Sequence, residues 1–320
     1  MPLQFDMSLE KLNSYKGVNP VPEDFDIFWQ KALEEMDNVN PEIEYIPSSF
    51  QTSTVECLDL YFTGVGSARI HAKILRPLHV EEPHPAVLVF HGYTGNSGDW
   101  TDHLGLAAAG FTVAALDCRG QSGQSEDTGQ VKGNTLRGHI IRGLDDSPEK
   151  LLFRQIFLDT AQLAKLVMDM PEVDPSRIGA TGRSQGGGLT IACASLVPKI
   201  KLIAPIFPFL SDYKRVWEMD LAKDAYFELH SFFRWFDPLH SRQEEIFNRL
   251  GYIDIQHLAK RIKGRVMFTI GLMDTICPPS TQFATYNKIL SEKELILYPD
   301  FGHENLPGLS DTIYQFMRTL

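Results

Sequence analysis

The chain has 320 residues, of which 43% are hydrophobic and 22% charged, so its composition is that of a globular protein with a sizeable core. Its 30 Lys and Arg residues against 41 Asp and Glu residues give a net charge of −11, which argues against nucleic acid or an anionic membrane as a partner. Four cysteines occur without a C-x-x-C pair, so neither a disulfide framework nor a metal cluster is indicated. The first residues lack the pattern of a secretion signal, and no apolar run is long enough to span a bilayer. We therefore expect a soluble, cytoplasmic protein.

The N-terminal part of the chain predicts an extension followed by a hairpin. Residues 1–54 are rich in loops and prolines and contain one amphipathic helical pattern, from Asp24 to about Met36. Two strand-like runs, Val55–Phe62 and Arg69–Arg76, follow on either side of a turn that contains two glycines. We expect these runs to pair as antiparallel strands.

Beyond residue 85, short apolar runs alternate with helical patterns. Runs that are apolar at nearly every position are typical of parallel strands buried on both faces. The predicted strands are Pro85–Phe90, Phe111–Leu116, Arg177–Ala180, Ile200–Phe207, Arg265–Ile270 and Glu294–Tyr298. The predicted helices are His103–Ala109, Phe153–Met170, Gly188–Leu196 and Thr281–Leu290. The alternation predicts an α/β fold in which helices flank a mostly parallel sheet, forming one domain over residues 1–320.

One segment, from about residue 212 to residue 263, interrupts this alternation. It shows no convincing strand, and it contains a cluster of aromatic residues between 227 and 236. A helical insertion at this position can cover the ligand-binding edge of the sheet, contact another subunit, or add a helix layer to the core. The sequence does not choose among these three roles.

The string Gly182-Arg183-Ser184-Gln185-Gly186 matches the G-x-S-x-G pattern of a nucleophile elbow. Its context fits, because a predicted strand precedes it and an apolar helical pattern follows. The serine of such an elbow occupies a strained turn, so Gly182 and Gly186 have to be small for helix and strand to approach. The pattern predicts that Ser184 is a catalytic nucleophile.

A serine nucleophile needs a histidine base and an acid that orients this base. In elbow-type hydrolases the acid and then the histidine follow the serine along the chain. Of the histidines after Ser184, three lie in the insertion, whereas His303 follows the strand Glu294–Tyr298 by a short loop. Asp274 comes directly after the preceding strand, while Asp300 shares the loop of His303 and is badly placed to reach Nδ1. We therefore predict Asp274 as the acid and His303 as the base.

The oxyanion formed during ester cleavage requires two backbone donors. The residue after the nucleophile, Gln185, is predicted to supply one N–H group, and Tyr93, in the loop after the strand Pro85–Phe90, the other. His91 in that loop is interpreted as structural. The glycine-rich turn that contains Arg119 lacks a phosphate-binding spacing, so Arg119 is expected to hold neighbouring loops through charge-assisted hydrogen bonds.

With these residues in place, the chain resembles the acetyl xylan esterase and cephalosporin C deacetylase family, carbohydrate esterase family 7 of the α/β-hydrolases. Three motifs carry the resemblance: Arg119-Gly120-Gln121, Gly182-Arg183-Ser184-Gln185-Gly186 and His303-Glu304. The resemblance implies a cofactor-free serine esterase that removes acetyl groups from xylo-oligosaccharides, other small esters and cephalosporin C through an acyl-enzyme. It also implies a cytoplasmic hexamer. One departure is Lys150-Leu151-Leu152-Phe153-Arg154, where a tyrosine-rich stretch is expected, which loosens the inference about subunit contacts there.

The acyl group is predicted to be small. Bulky residues that follow the predicted strands would wall the acyl side and leave space for little more than a methyl group: Tyr93, Pro208, Phe209, Met273 and Ile276. Three alternatives remain open, namely a serine peptidase, a general short-chain carboxylesterase and a catalytically inactive scaffold. A peptidase would need a charged anchor for a peptide terminus, and the sequence marks none.

Overall fold

The computed structural model describes residues 5–81, 83–131 and 139–320. Within these residues nine strands form one sheet. The strands are β1 (Glu44–Pro47), β2 (Val55–Thr63), β3 (Arg69–Pro77), β4 (His84–Phe90), β5 (Thr112–Leu116), β6 (Val173–Arg183), β7 (Leu202–Ile206), β8 (Arg265–Gly271) and β9 (Lys293–Tyr298). Their order across the sheet is β1-β2-β3-β5-β4-β6-β7-β8-β9.

The sheet is antiparallel at one side and parallel over the rest. On one side of the sheet, β1 pairs with β2, β2 with β3, and β3 with β5, and all three pairings are antiparallel. Strands β2 and β3, of nine residues each, form the predicted hairpin. All pairings from β5 through β4 to β9 are parallel. The predicted fold class, a mostly parallel sheet flanked by helices, is confirmed.

The five helices predicted from the sequence are present with shifted ends, and two further helices, near the two ends of the chain, were not predicted. The described residues form eleven α-helices in all. They are α1 (Leu9–Ser14), α2 (Phe25–Asp37), α3 (Leu104–Ala108), α4 (Leu152–Met168), α5 (Gln185–Leu196), α6 (Tyr213–Glu218), α7 (Phe227–Phe236), α8 (Gln243–Leu250), α9 (Ile255–Leu258), α10 (Pro279–Tyr286) and α11 (Leu309–Met317). The prediction for α5 began three residues too late, because its glycines lower helix propensity but are required by packing. The predicted α10 began two residues late and ended four residues beyond Tyr286. The helix begins at Pro279, and a proline fits well in the first turn of a helix.

Complete burial explains why the parallel strands read as continuous apolar runs. All five residues of β5 and of β7 are buried, and so are all twelve residues of α5, the helix that follows the elbow. A helix that is buried on every side lies inside the molecule. The parallel strands and α5 therefore form a rigid support for whatever lies at the carboxyl ends of the strands.

The segment from about 212 to 263 contains helices α6 to α9, and none of its described residues lies in a strand. Its aromatic side chains Tyr226, Phe232, Phe233 and Phe247 are buried and belong to the main core. At its outer end, Trp235 is 64% exposed. The insertion thus adds to the core with one face and leaves apolar surface on the other.

Across the described residues, we find no helix with the length and apolarity required to cross a membrane.

Candidate active site

Ser184 occupies a strained turn between β6 and α5, with a backbone φ of 55° and ψ of −117°. The residues two positions before and after Ser184 are glycines because neighbouring backbone atoms leave no space for a side chain. A Cβ atom at Gly186 would lie 2.0 Å from the carbonyl oxygen of Phe90, and one at Gly182 would lie 2.5 Å from the carbonyl carbon of Gly186. Both distances are below 3.0 Å, a separation at which real Cβ atoms essentially never meet another heavy atom. The local geometry is that of the elbow predicted from the motif.

His303 and Asp274 lie together at the carboxyl ends of β9 and β8. His303 Nδ1 is 2.8 Å from Asp274 Oδ2. Asp274 is buried, and its Oδ1 accepts hydrogen bonds from the backbone N–H groups of Ile276 (2.9 Å) and Cys277 (2.8 Å). A carboxylate held in this way fixes the proton on Nδ1 and leaves Nε2 free to act as a base. The structure therefore brings the two predicted residues together, with His303 Nδ1 bonded to Asp274.

The Cys277 thiol is a neighbour of the serine. It makes a hydrogen bond with Ser184, and complete burial raises the pKa of this thiol well above its ordinary value. Ligand atoms of Asp274, Cys277 and His303 lie within 4.8 Å of one another, a spacing that a metal ion could bridge. However, a thiol with a raised pKa is a poor metal ligand, and Asp274 and His303 are already bonded to each other. The chemistry of the group favours proton transfer.

Gln185, the first residue of α5, is fixed by a second glutamine. The side-chain amides of Gln121 and Gln185 are paired, at 2.7 Å from Gln121 Nε2 to Gln185 Oε1 and 3.1 Å in the reverse direction. This pairing gives Gln121 of the Arg119-Gly120-Gln121 motif a structural role. It holds the residue whose backbone N–H is predicted to face the oxyanion.

Tyr93 is held from two sides. Its hydroxyl accepts a hydrogen bond from the backbone N–H of His139 at 3.1 Å, and its ring packs against those of His139 and Phe209 with centroids 5.3 Å apart in each pair. His91 supports the same loop, because its Nε2 accepts the Cys118 N–H at 3.0 Å. Burial lowers the pKa of His91, so its ring is neutral and serves as a structural residue rather than a base.

Arg119 is buried and makes two hydrogen bonds with Asp159 of α4, at 2.7 and 2.6 Å. A third goes to the carbonyl oxygen of Val65 at 3.1 Å. The expected charge-assisted bonds are present, but their main partner is a helix and not a loop. Arg119 thereby ties the end of β5 to α4 and to the β2–β3 turn. In the third motif, Glu304 Oε1 accepts the Gly302 N–H at 3.0 Å and so shapes the loop that carries His303.

Ser184 and His303 open into one cavity of about 710 Å³. Its lining residues are Gly92, Tyr93, Thr94, His139, Ser184, Asp224, Ala225, Phe227, Glu228, Ile276 and His303. Of the residues predicted for the acyl side, Tyr93 and Ile276 line this cavity. Pro208 is instead buried, with its Cα 3.1 Å from the place of a Cβ on Gly187, and Phe209 packs behind Tyr93.

Sequence reasoning missed the wall formed by His139, Asp224, Phe227 and Glu228. Nothing in the local pattern of these residues marks them, because three of them lie in the insertion, whose position relative to the elbow depends on tertiary packing. The aromatic cluster of the insertion was the one available indication that this segment meets the site.

The strand order, the helices on both faces and the elbow are those of an α/β-hydrolase. The family model described as acetyl xylan esterase (AXE1) matches residues 1–320, so the chain belongs to this family and is a carboxylic ester hydrolase. The resemblance read from the three motifs is thereby confirmed.

Two solved structures are similar over nearly the whole chain. Acetyl xylan esterase 1 from Thermoanaerobacterium sp. JW/SL YS485 is 60% identical, with 98% of each chain covered and a TM-score of 0.96. The acetyl xylan esterase from Paenibacillus sp. R4 is 34% identical, with 98% of this chain and 99% of that chain covered and a TM-score of 0.93. Among curated proteins, acetyl esterase Axe7A of Xylanibacter ruminicola is 25% identical over an alignment of 295 residues that covers 88% of this chain. The match spans 63% of the length of that relative.

Proposed function

We propose that the protein removes acetyl groups from acetylated xylo-oligosaccharides and other small acetyl esters, including cephalosporin C, through an acyl-enzyme. The observation that supports this most directly is the bond between His303 and the buried Asp274 in the cavity that Ser184 enters. The names of the similar structures, both acetyl xylan esterases, support the choice of the acyl group and of the sugar.

In the first half of the proposed reaction, Ser184 Oγ attacks the acetyl carbonyl carbon while His303 Nε2 takes the hydroxyl proton. The carbonyl oxygen becomes an oxyanion, which the N–H groups of Tyr93 and Gln185 stabilise. The carbon–oxygen bond to the alcohol then breaks, and His303 returns the proton to the leaving alcohol oxygen. Asp274 keeps the His303 ring in one tautomer and stabilises it while it carries two protons.

In the second half, water takes the place of the alcohol. His303 Nε2 accepts a proton from the water as its oxygen attacks the acetyl-serine carbonyl, and the same oxyanion site is used again. The bond to Ser184 Oγ breaks, the proton passes from His303 to this oxygen, and acetic acid leaves and gives its remaining proton to the solvent as acetate. Each half reaction thus conserves protons, and no cofactor takes part.

The proposal is tested by measuring acetate released from acetylated xylo-oligosaccharides, other acetylated sugars and cephalosporin C, with the Ser184→Ala variant as the matched control. We expect release from the sugars with the wild type and a loss of several orders of magnitude in the variant. A series of p-nitrophenyl esters should show acetate preferred to butyrate and octanoate. The highest kcat/KM with an acyl group of six carbons or more would mean that the protein is a carboxylesterase with an open acyl channel and not a deacetylase.

The structure also supplies a reason to test a peptidase activity. The cavity contains two carboxyl groups, on Asp224 and Glu228, of the kind that could anchor a peptide α-amine, which the sequence did not mark. Burial raises the pKa of Glu228 to about 8, so that this group is mostly neutral at pH 7 and a weak anchor for a cation. Asp224 is exposed, so water and salt screen its attraction for a cation. Aminoacyl-nitroanilides assayed beside p-nitrophenyl acetate should therefore give no turnover. Faster cleavage of the anilides would overturn the esterase proposal.

We also propose that the chain assembles into a hexamer and that it is located in the cytoplasm. Trp235 and Leu239, at the outer end of the insertion, are 64% and 88% exposed, and a closed oligomer would bury such surface. Light scattering at micromolar concentration should give six times the mass of the chain. A monomer at that concentration would exclude the hexamer.

A further inference from the structure

The cavity beside Ser184 is much larger than an acetyl group requires. An acetyl group has three non-hydrogen atoms, which fill roughly the space of three water molecules, about 90 Å³. The cavity measures about 710 Å³, within the range of pockets that take whole small molecules. Most of its space is therefore available to the alcohol portion of the ester.

One wall of this space comes from the insertion. Asp224 and Ala225 belong to the short 3₁₀ turn Asp224–Tyr226, and Phe227 and Glu228 begin α7 directly after it. The turn and the helix are anchored by Tyr226 and Leu229, both fully buried. The wall is thus a rigid element that presents an aromatic ring and a carboxylate toward the site.

Phe227 is unusual in being a large apolar side chain that lines the cavity and remains 42% exposed. Its ring lies nearly parallel to that of His230, at 24° and with centroids 5.8 Å apart, which limits its orientation. The face of an aromatic ring carries partial negative charge, and the C–H groups on one side of a pyranose ring carry partial positive charge. A sugar ring stacked on Phe227 would cover this exposed apolar area.

Asp224 offers an acceptor next to this ring. It is exposed, and its backbone has a φ of 48°, in the left-handed region that non-glycine residues seldom adopt. Conformations of this kind cluster at binding sites, where packing of the surroundings maintains them. A carboxylate makes stronger hydrogen bonds with hydroxyl donors than a neutral acceptor does. Asp224 is therefore suited to the free hydroxyl groups of a sugar.

Glu228 connects this wall to the opposite one. Its Oε2 accepts the backbone N–H groups of Ile140 at 2.7 Å and Ile141 at 3.2 Å, and the residue is 3% exposed. Its Oε1 has no hydrogen-bond partner in the described part of the chain. The neighbouring His139 donates its N–H to the Tyr93 hydroxyl at 3.1 Å. Glu228 thus fixes the width of the space between Phe227 and Tyr93.

We propose that Asp224 and Phe227 form the subsite for the alcohol portion of the ester, which takes a pyranose ring with free hydroxyl groups, and that Glu228 is a positioning residue for it. The identification of this alcohol as a sugar rests on the proposed function. If this subsite exists, two consequences follow that ester hydrolysis alone does not require. The preference for a sugar ester over a small ester should depend on Phe227 and Asp224. Removing either side chain should raise KM for the sugar ester before it lowers kcat.

The experiment compares kcat/KM for acetylated xylobiose with kcat/KM for ethyl acetate, whose alcohol is too small to reach the wall. The ratio of the two values should fall at least tenfold in Phe227→Ala and several-fold in Asp224→Asn, mainly through KM for the sugar ester. Asn is chosen because it adopts a positive φ as Asp does. Tyr45→Ala is the matched control, an exposed aromatic residue of β1 at the far edge of the sheet, and should keep the wild-type ratio.

The positioning role of Glu228 has its own variants. Glu228→Ala leaves the Ile140 and Ile141 N–H groups without their acceptor and should raise KM for acetylated xylobiose. Glu228→Gln retains an acceptor oxygen and should restore most of that loss. An equal effect of both substitutions on the two substrates would mean that Glu228 serves stability alone and would remove it from the subsite.

The outcomes separate the inference from the proposed function. If the wild type hydrolyses both esters but Phe227→Ala and Asp224→Asn keep its ratio, the subsite is wrong and the esterase stands. The same holds if both substrates lose activity equally in these variants. If the wild type releases acetate from neither ester, the proposed function fails and the subsite fails with it.

Discussion

Ser184 shows how neighbouring residues maintain a strained conformation. Its N–H donates to the Ile206 carbonyl oxygen at 3.0 Å, and its own carbonyl oxygen accepts the N–H groups of Gly188 and Phe209, each at 3.0 Å. Three hydrogen bonds around one residue, together with the crowded glycines, keep the turn in place against a backbone strain of about 1–3 kcal/mol. The serine is therefore positioned before any substrate arrives.

The roles proposed for the catalytic residues predict unequal effects of substitution. Ser184→Ala should lower kcat by about 10⁶, since such an enzyme loses nearly all chemistry with its nucleophile. Asp274→Asn should lower it by about 10⁴. The reason lies in the geometry: the Ile276 and Cys277 N–H groups keep the amide oxygen, so the amide NH₂ is turned toward His303 Nδ1 and enforces the wrong tautomer. Steady-state hydrolysis of p-nitrophenyl acetate measures both.

Asp300 provides the control for this prediction. It is exposed in the loop that carries His303, three residues before this histidine. Asp300→Asn should retain wild-type turnover. Turnover near the wild-type value in Asp274→Asn, with a loss in Asp300→Asn instead, would reverse the assignment of the acid.

Among the elements, the buried pair Arg119 and Asp159 joins the end of β5 to α4. Removing one member of a buried ion pair leaves an uncompensated charge and costs about 3–5 kcal/mol. Arg119→Ala should lower the free energy of unfolding in urea by that amount. The double variant Arg119→Met with Asp159→Leu should lose much less, because no charge remains buried. Equal losses in the single and the double variant would show that packing volume, and not charge, explains the effect.

The N-terminal extension is attached to the insertion by Asp212. Its Oδ1 accepts the N–H groups of Val18 and Asn19 at 3.0 and 2.8 Å, and its Oδ2 accepts the Tyr15 hydroxyl at 2.8 Å. Asp212→Ala leaves these donors without an acceptor, and we expect a loss of about 3 kcal/mol in the free energy of unfolding. Limited proteolysis should then cut within the first 24 residues.

Asp212→Asn is the matched variant, since it keeps one acceptor oxygen and tolerates the φ of 50° found at this position. It should lose about 1 kcal/mol and keep the extension protected from protease. Rapid cleavage in both variants, or in neither, would show that Asp212 does not hold the extension.

Whether a strand or a helix could be predicted from the sequence depends on how its residues are buried. Strands buried on both faces, such as β5 and β7, leave an apolar run in the sequence, and the hairpin was found from its turn. Strand β1 was missed because all four of its residues are exposed, so its pairing with β2 leaves no hydrophobic pattern. Helix α11 was also missed, although Leu309, Ile313 and Phe316 recur on one buried face.

At the scale of the whole molecule, the pairing of His303 with Asp274 was predictable because topology brings the carboxyl ends of parallel strands to one edge. Only the order of the residues along the chain and the positions of the strands were needed. The wall of the cavity was not predictable in this way. Glu228 meets Ile140 and Ile141 across 87 or more residues, and no periodicity in either segment records that contact.

This contact makes the stability of the molecule depend on pH. Burial raises the pKa of Glu228 from 4.5 to about 8 in the folded protein, while hydrogen bonds from the backbone oppose the rise. Between these two values the folded state binds one proton more than the unfolded state, so the free energy of unfolding falls as pH rises. The stabilisation is complete below pH 4.5 and is lost as pH passes 8.

The measurement is the free energy of unfolding at pH 5.5 and pH 8 for the wild type and for Glu228→Gln, which accepts the same hydrogen bonds but does not ionise. A full proton difference contributes about 1.4 kcal/mol per pH unit, so the wild type should lose about 3 kcal/mol more than the variant over this interval. Other titrating groups contribute equally to both proteins and cancel in the comparison. Parallel curves for the two proteins would mean that Glu228 ionises normally, and a steeper loss in the variant would reverse the sign of the argument. The predicted divergence would show that a carboxyl group in the wall of the cavity is held neutral by the fold that surrounds it.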